Sequence, residues 1–269
     1  MPDPYTNPDA QSESVIQAMI TRLEERGRNR CFQQMIGTYV GTLPADTPLT
    51  VLDLGCGTGV VIRQLAEKLH PSSSLHGADV SAHLLNEAKR LTSDPRIQWD
   101  HLCAGPLPYA DASFEAITMH TLLSHVPDPS QILREARRIL KPGGKLIVFD
   151  ADHAGTTYSQ SDYETTRRID HILTSAIATH PDICRQMPRL LKMSGFALVG
   201  HDSEVISDCG KGDYWLSSVQ GFARLMPVIG GLSQEEAETW AEYLLDAHKN
   251  GTFFAAGAFY TFYGEVDFR

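Results

Sequence analysis

Nine residues, Val51-Leu52-Asp53-Leu54-Gly55-Cys56-Gly57-Thr58-Gly59, set three glycines at alternate positions straight after an apolar run, with an acid two residues before the first. Glycines so spaced let a strand-to-helix turn adopt positive φ and bring bare backbone against a ligand. The helix that follows would favour a phosphate through its free N–H groups and dipole. Asp53 at the mouth of the turn would repel one, so the spacing points to a ligand carrying positive charge. Asp79 lies 20 residues beyond Gly59, at the end of the next strand-like run. A carboxylate there can accept from both hydroxyls of a ribose.

The surrounding pattern predicts the elements that must hold these residues. Apolar residues at helical spacing fill 12–43 as two helices broken near Gly27. Then come a strand at 49–54, a helix at 60–69, a strand ending at Asp79, a helix at 82–91 and a strand at 97–99. A strand at 114–119, a helix at 129–140, a turn at 141–144 and a strand at 145–149 complete the alternation. Strand and helix in turn mean right-handed crossovers and an α/β, doubly wound, mostly parallel sheet. Beyond Asp150 the reading gives helices at 163–178 and 188–193, a strand at 196–199, helices at 213–226 and 233–249, and a last strand at 253–263. The chain, 1–269, is expected to form one domain. Its parts are an N-terminal helical cap (1–47), a cofactor-binding core (48–206), a helical insertion or lid (207–250) and a final strand (251–269).

Several segments together carry a resemblance: Val51 to Gly59, Asp79, Leu107-Pro108-Tyr109 with Ser113-Phe114, His125 with Asp128-Pro129, and Arg138-Ile139-Leu140-Lys141-Pro142-Gly143-Gly144. In register over 49–150 they resemble the class I S-adenosylmethionine-dependent methyltransferases, and within them the small-molecule methyltransferases of the ubiquinone/menaquinone-biosynthesis type. S-adenosylmethionine is a nucleoside bearing an ammonium and a sulfonium, which suits both acids. The resemblance implies a seven-stranded Rossmann-like sheet with its last strand antiparallel. It also implies in-line methyl transfer to a small, apolar or aromatic metabolite, leaving S-adenosylhomocysteine. Asp53, Gly55, Cys56, Gly57, Gly59, Asp79, Val80, Cys103, Ala104 and His120 are the expected cofactor contacts. Where such proteins usually place an acid for the adenine amine, this chain has Cys103-Ala104. A thiol is a poor acceptor, so adenine is expected to meet backbone at 102–104, or Asp100.

The methyl group should lie above the ends of the fourth and fifth strands. His120 and His153 are there, and imidazoles with ordinary pKa values near ~6.5 can take a proton from a hydroxyl or an activated carbon. Both are candidate bases. Tyr5, His125, Asp152, Trp215 and Phe222 are candidate acceptor contacts, with His125 expected to orient rather than react.

A net charge of −10 disfavours nucleic acid and acidic membranes as partners. Arg22, Arg26, Arg28 and Arg30 read as a solvated helix face. Five widely spaced cysteines without a Cys-x-x-Cys pair fit reduced thiols, and no metal site is expected. With no membrane-length apolar run and no signal-like start, the chain reads as cytoplasmic. The aromatic last strand leaves a homodimer open. Three rival readings stand: a protein that binds the cofactor for a non-methylating step or as a regulatory subunit, an RNA methyltransferase, and a nicotinamide dehydrogenase, which Asp53 disfavours.

Overall fold

The computed structural model describes residues 3–103, 105–228 and 231–266. Five strands run parallel in the order β3-β2-β1-β4-β5: β1 (Thr50–Leu54), β2 (Ser74–Asp79), β3 (Ile97–His101), β4 (Phe114–His120) and β5 (Leu140–Ala151). Helices α1 (Glu13–Arg28) and α2 (Arg30–Val40) precede the sheet, and the crossover helices are α3 (Val60–Lys68), α4 (Ala82–Leu91) and α5 (Pro129–Ile139). Capping chemistry fixes where they begin. Ser81 caps α4, and Asp128 caps α5 with Pro129 at its first position. Strand order reverses between β1 and β4, which opens a crevice at their carboxyl ends.

Two short 3₁₀ turns precede α1, and β6 (Thr157–Tyr158), α6 (Tyr163–Ile177), α7 (Ile183–Met193), β7 (Phe196–Gly210), α8 (Leu216–Val228), α9 (Gln234–Asn250) and β8 (Phe253–Val266) follow the parallel core. β8 lies antiparallel between β5 and β7, as the resemblance implied, but the two-residue β6 on β8 makes eight strands instead of seven among the described residues. Such a short pairing has no apolar alternation to betray it. β7 runs on to Gly210, far past the expected 196–199, so 207–210 is strand and the helices of the insertion start later. Most of its residues from 197 to 205 are exposed on both faces, which erases the pattern that marks a half-buried strand. α7 starts five residues early because Pro188 sits inside it. The aromatic β8 is paired along both edges, so β7 is the open edge at that side of the sheet.

Apolar layers cover both faces. Phe32, Ile36 and Tyr39 of α2, Ile62 and Leu65 of α3 and Trp240 of α9 pack on one. Leu133 and Ala136 of α5 with Met187 and Leu191 of α7 pack on the other. The insertion docks through Trp215, whose indole N–H donates to the Ile206 carbonyl at 2.8 Å. Its ring rests where a Cβ on Gly257 of β8 would stand only 2.6 Å away. Gly257→Ala is therefore expected to cost about 1–3 kcal/mol by overpacking. Thermal unfolding should show a Tm lowered by roughly 3–10 °C; an unchanged Tm would mean that Trp215 is not seated there.

Candidate active site

The turn after β1 is built by backbone bonds that leave its inner surface bare. The Gly55 and Cys56 amides donate to the Ala78 carbonyl at 2.8 and 3.0 Å, and the Gly59 amide donates to the Cys56 carbonyl at 2.8 Å. Gly55, Gly57 and Gly59 all sit at φ between 53° and 82°, where a side chain would be strained. Gly55 and Gly57 face the main cleft. Gly59 faces the Trp99 ring, so its part is to let α3 pack closely, and Cys56 is buried beneath the turn.

Asp53 and Asp79 stand on either side of this turn, both buried. Asp79 accepts from the Gly57 amide at 2.8 Å and the Ser81 amide at 2.9 Å, one bond per oxygen. Each oxygen keeps a lone pair for a further donor. Ser81 caps α4 itself, so Asp79 is spared that task. Asp53 accepts from the Thr118 hydroxyl at 2.8 Å through Oδ1, while Oδ2 has no partner among the described residues. Burial pushes the Asp53 carboxyl up to about 7 against the pull of the Thr118 bond, and the nearby Asp79 adds to the rise. Asp53 at the turn disfavours a diphosphate, and the two acids fit an ammonium on one side and a diol on the other. The residues present thus suit S-adenosylmethionine.

The cleft beyond the turn is continuous, about 1150 Å³. Val80, Leu84, Leu102, Cys103 and Leu107 line one end; Ala104 lies outside the described residues. Asp100 is not among the residues lining the cleft, and its Oδ2 accepts from the Tyr109 hydroxyl at 2.9 Å and is bonded to His76 at 3.0 Å. At the other end Tyr158, Leu173, Ile177, Trp215, Phe222 and Phe259 form a largely apolar chamber between α1, α6 and α8. Tyr5, His125 and His153 also line the cleft, with the Tyr5 and His153 rings beside that of His125.

The other expected contacts divide. His120 is not placed as a free base: its Nδ1 meets the Tyr39 hydroxyl at 2.9 Å, its Nε2 meets Arg26 at 3.2 Å, and its ring stacks on Phe149. Burial and the Arg26 charge hold its pKa well below the usual range. Asp152 turns instead to Arg185, pairing at 2.9 Å. Trp215 is nearly buried in the core as well as lining the chamber. His125 pairs through Nδ1 with Asp3 at 2.6 Å, and Tyr5 packs on its ring. His153 has an unpartnered, buried Nε2, and burial, helped by His125 and Arg26, lowers its pKa to about 3.

Residues missed in the sequence come from the N-terminal segment. Asp9 accepts from the Ser81 hydroxyl and the Ala82 amide, at 2.5 and 2.8 Å, so it straps the chain over the start of α4. Arg22 and Arg26 line the cleft, contrary to the solvated face expected of them. Their four-residue spacing, with Met19 and Leu23 on the same side, was the available signal.

The Asp53 carboxyl gives a pH-dependent stability. Folded, it keeps its proton to about pH 7; unfolded, it releases it near the ordinary 3.8. Between these values the native state binds more protons, so this group's contribution is best below about pH 4 and is lost as pH rises through about 7. Asp53→Asn keeps an acceptor for Thr118 and cannot ionise. At pH 8 the ligand-free variant should be more stable than the wild type by about 1–4 kcal/mol. Thermal melts should show that gap closing toward pH 4, and a gap independent of pH would contradict this assignment.

Residues 52–148 match the family model described as a methyltransferase domain. Over 251 residues the chain is 30% identical to an uncharacterized 37.1 kDa protein in transposon TN4556 of Streptomyces fradiae, covering 92% of this chain and 71% of that protein. A shorter alignment, 42% identical over 100 residues, covers 37% of this chain and 40% of the ubiquinone/menaquinone biosynthesis C-methyltransferase UbiE of Desulfotalea psychrophila. A S-adenosylmethionine-dependent methyltransferase from Aquifex aeolicus shares the fold, with TM-score 0.54 and 13% identity over 93% of this chain and 97% of that one. Strand order, glycine turn and relatives converge: the chain belongs to the class I S-adenosylmethionine-dependent methyltransferases, and S-adenosylmethionine is its cofactor.

Proposed function

We propose that this methyltransferase acts on a small, largely apolar or aromatic acceptor bound in the chamber between α1, α6 and α8. The observation that carries the reading is one continuous cleft of about 1150 Å³. Pockets for one small ligand run about 300–1,000 Å³, so cofactor and acceptor fit together. Its far end offers mostly rings and aliphatic side chains. The net charge of −10 supports a small molecule over RNA. UbiE of Desulfotalea psychrophila is named for a quinone pathway, which agrees with an apolar acceptor here. Among the described residues no helix is long and apolar enough to cross a membrane.

Bound S-adenosylmethionine supplies an electrophilic methyl on its sulfonium. The chain's own residues do the rest. Asp53 holds the ammonium, Asp79 the ribose hydroxyls, and Val80, Leu102 and Cys103 flank the adenine. Gly55 and Gly57 admit the ligand to backbone distance. Tyr5, His125, Trp215 and Phe222 wall the acceptor in and exclude water. His153 stays neutral across the physiological range, and its unpartnered Nε2 accepts a hydrogen bond from the methyl acceptor and orients it for attack. The N-terminal helices, the parallel core with β7, the helices α8 and α9 and the strand β8 work as one domain, α8 and α9 serving as lid.

Incubation with methyl-labelled S-adenosylmethionine and a panel of lipophilic phenols, quinols and alcohols should yield S-adenosylhomocysteine and a labelled acceptor. Cofactor binding with no S-adenosylhomocysteine across that panel would favour the non-methylating alternative. His153→Ala should lower kcat by about 10²-fold and leave cofactor affinity unchanged. An unaltered kcat would remove His153 from the reaction.

A further inference from the structure

Arg26 of α1 and Asp53 of β1 line the same small cavity beneath the glycine turn, together with Gly55, Gly57 and His120. Neither has a counter-charge. Asp53 Oδ2 has no hydrogen-bond partner among the described residues. The Arg26 guanidinium touches only neutral groups: His120 Nε2 and the Thr121 hydroxyl, both at 3.2 Å, and the Phe32 ring, whose centroid is 4.8 Å away. No carboxylate of the described residues lies within 4.0 Å of it. Two opposite charges held apart across one cavity, each incomplete, are complementary to a zwitterion.

The position of Arg26 is fixed by the turn it faces. Glu24, two residues earlier, accepts from Arg63 with both oxygens at 2.9 Å, and Arg63 donates to the Thr58 carbonyl at 2.8 Å. On the other side of Arg26, a Cβ on Gly27 would stand 2.7 Å from the Val60 side chain, so α1 crosses the start of α3 at backbone distance. Leu23, Arg26, Gly55 and Gly57 line both the small cavity and the main cleft, so the two lie on either side of the same residues.

We infer that Arg26 binds the α-carboxylate of S-adenosylmethionine across the cavity from Asp53, so that α1 supplies half of the subsite for the amino-acid end. This rests on the reading of Asp53 as the ammonium acceptor. A guanidinium fork matches a carboxylate with two parallel bonds. α1 is therefore a wall of the cofactor site, and the nucleoside and amino-acid ends are held by different parts of the chain.

Titration calorimetry on the full chain tests this with three probes: S-adenosylhomocysteine, its decarboxylated form, which keeps the amine, and methylthioadenosine, which lacks both groups. Arg26→Met should weaken S-adenosylhomocysteine by about 10–100-fold and leave the other two unchanged. Arg26→Lys should fall between. Retained methylthioadenosine binding shows that the variant is folded at the site. Unchanged S-adenosylhomocysteine affinity, or an equal loss for all three probes, would overturn the role of Arg26 and leave the cofactor reading standing. A wild-type chain that binds none of the three would overturn both.

Discussion

Holding Asp53 at the end of β1 without a counter-charge is unfavourable for the free protein, and its carboxyl responds by retaining its proton to about pH 7. The Thr118 hydroxyl satisfies one oxygen and nothing in the described chain satisfies the other. An apolar residue would fill this place in the core more cheaply. The charge becomes favourable when a cation arrives, since pairing in a site shielded from water is far stronger than on the surface. Asp79 adds to the rise of the Asp53 pKa, while burial, with the charge of Asp9, lifts its own; a positive ligand at the turn would relax both. On the proposed reading, the cost to the free state and the selectivity for a cationic nucleoside have the same origin.

Everything else positions that pair. The reversal of strand order puts the ends of β1 and β4 beside an open crevice. The left-handed glycines bring backbone, not side chains, to its floor. The N-terminal segment closes the crevice from above through three carboxylates: Glu24 on Arg63, Asp9 on the start of α4, and Asp3 on His125. These contacts link residues more than 38 positions apart, so they tie the N-terminal segment to the core across long stretches of chain.

The parallel core was legible because its constraints are local. Three glycines after an apolar run, an acid before them and Asp-Pro at a helix start each write a backbone requirement into a few neighbouring residues, whereas the turn expected at 141–144 is part of β5. The two buried acids could be read for the same reason. Contacts made across long separations could not. The engagement of both His120 nitrogens depends on Tyr39 and Arg26, about eighty and ninety residues away in sequence. Arg26 looked solvated because its partners are neutral groups from another element. β7 escaped because a strand whose faces both meet water has no alternation, and Asp152 looked like a site residue only until Arg185 was seen beside it.

Carbon-13 NMR titration of the Asp53 carboxyl, with and without saturating S-adenosylhomocysteine, measures the central interaction directly. The free protein should show a carboxyl titrating near pH 7, and the bound form should return it to the ordinary carboxylate range or below, as an ammonium pairs with it. A titration unmoved by the ligand, or an Asp53 already ionised like a surface carboxylate in the free protein, would contradict the account.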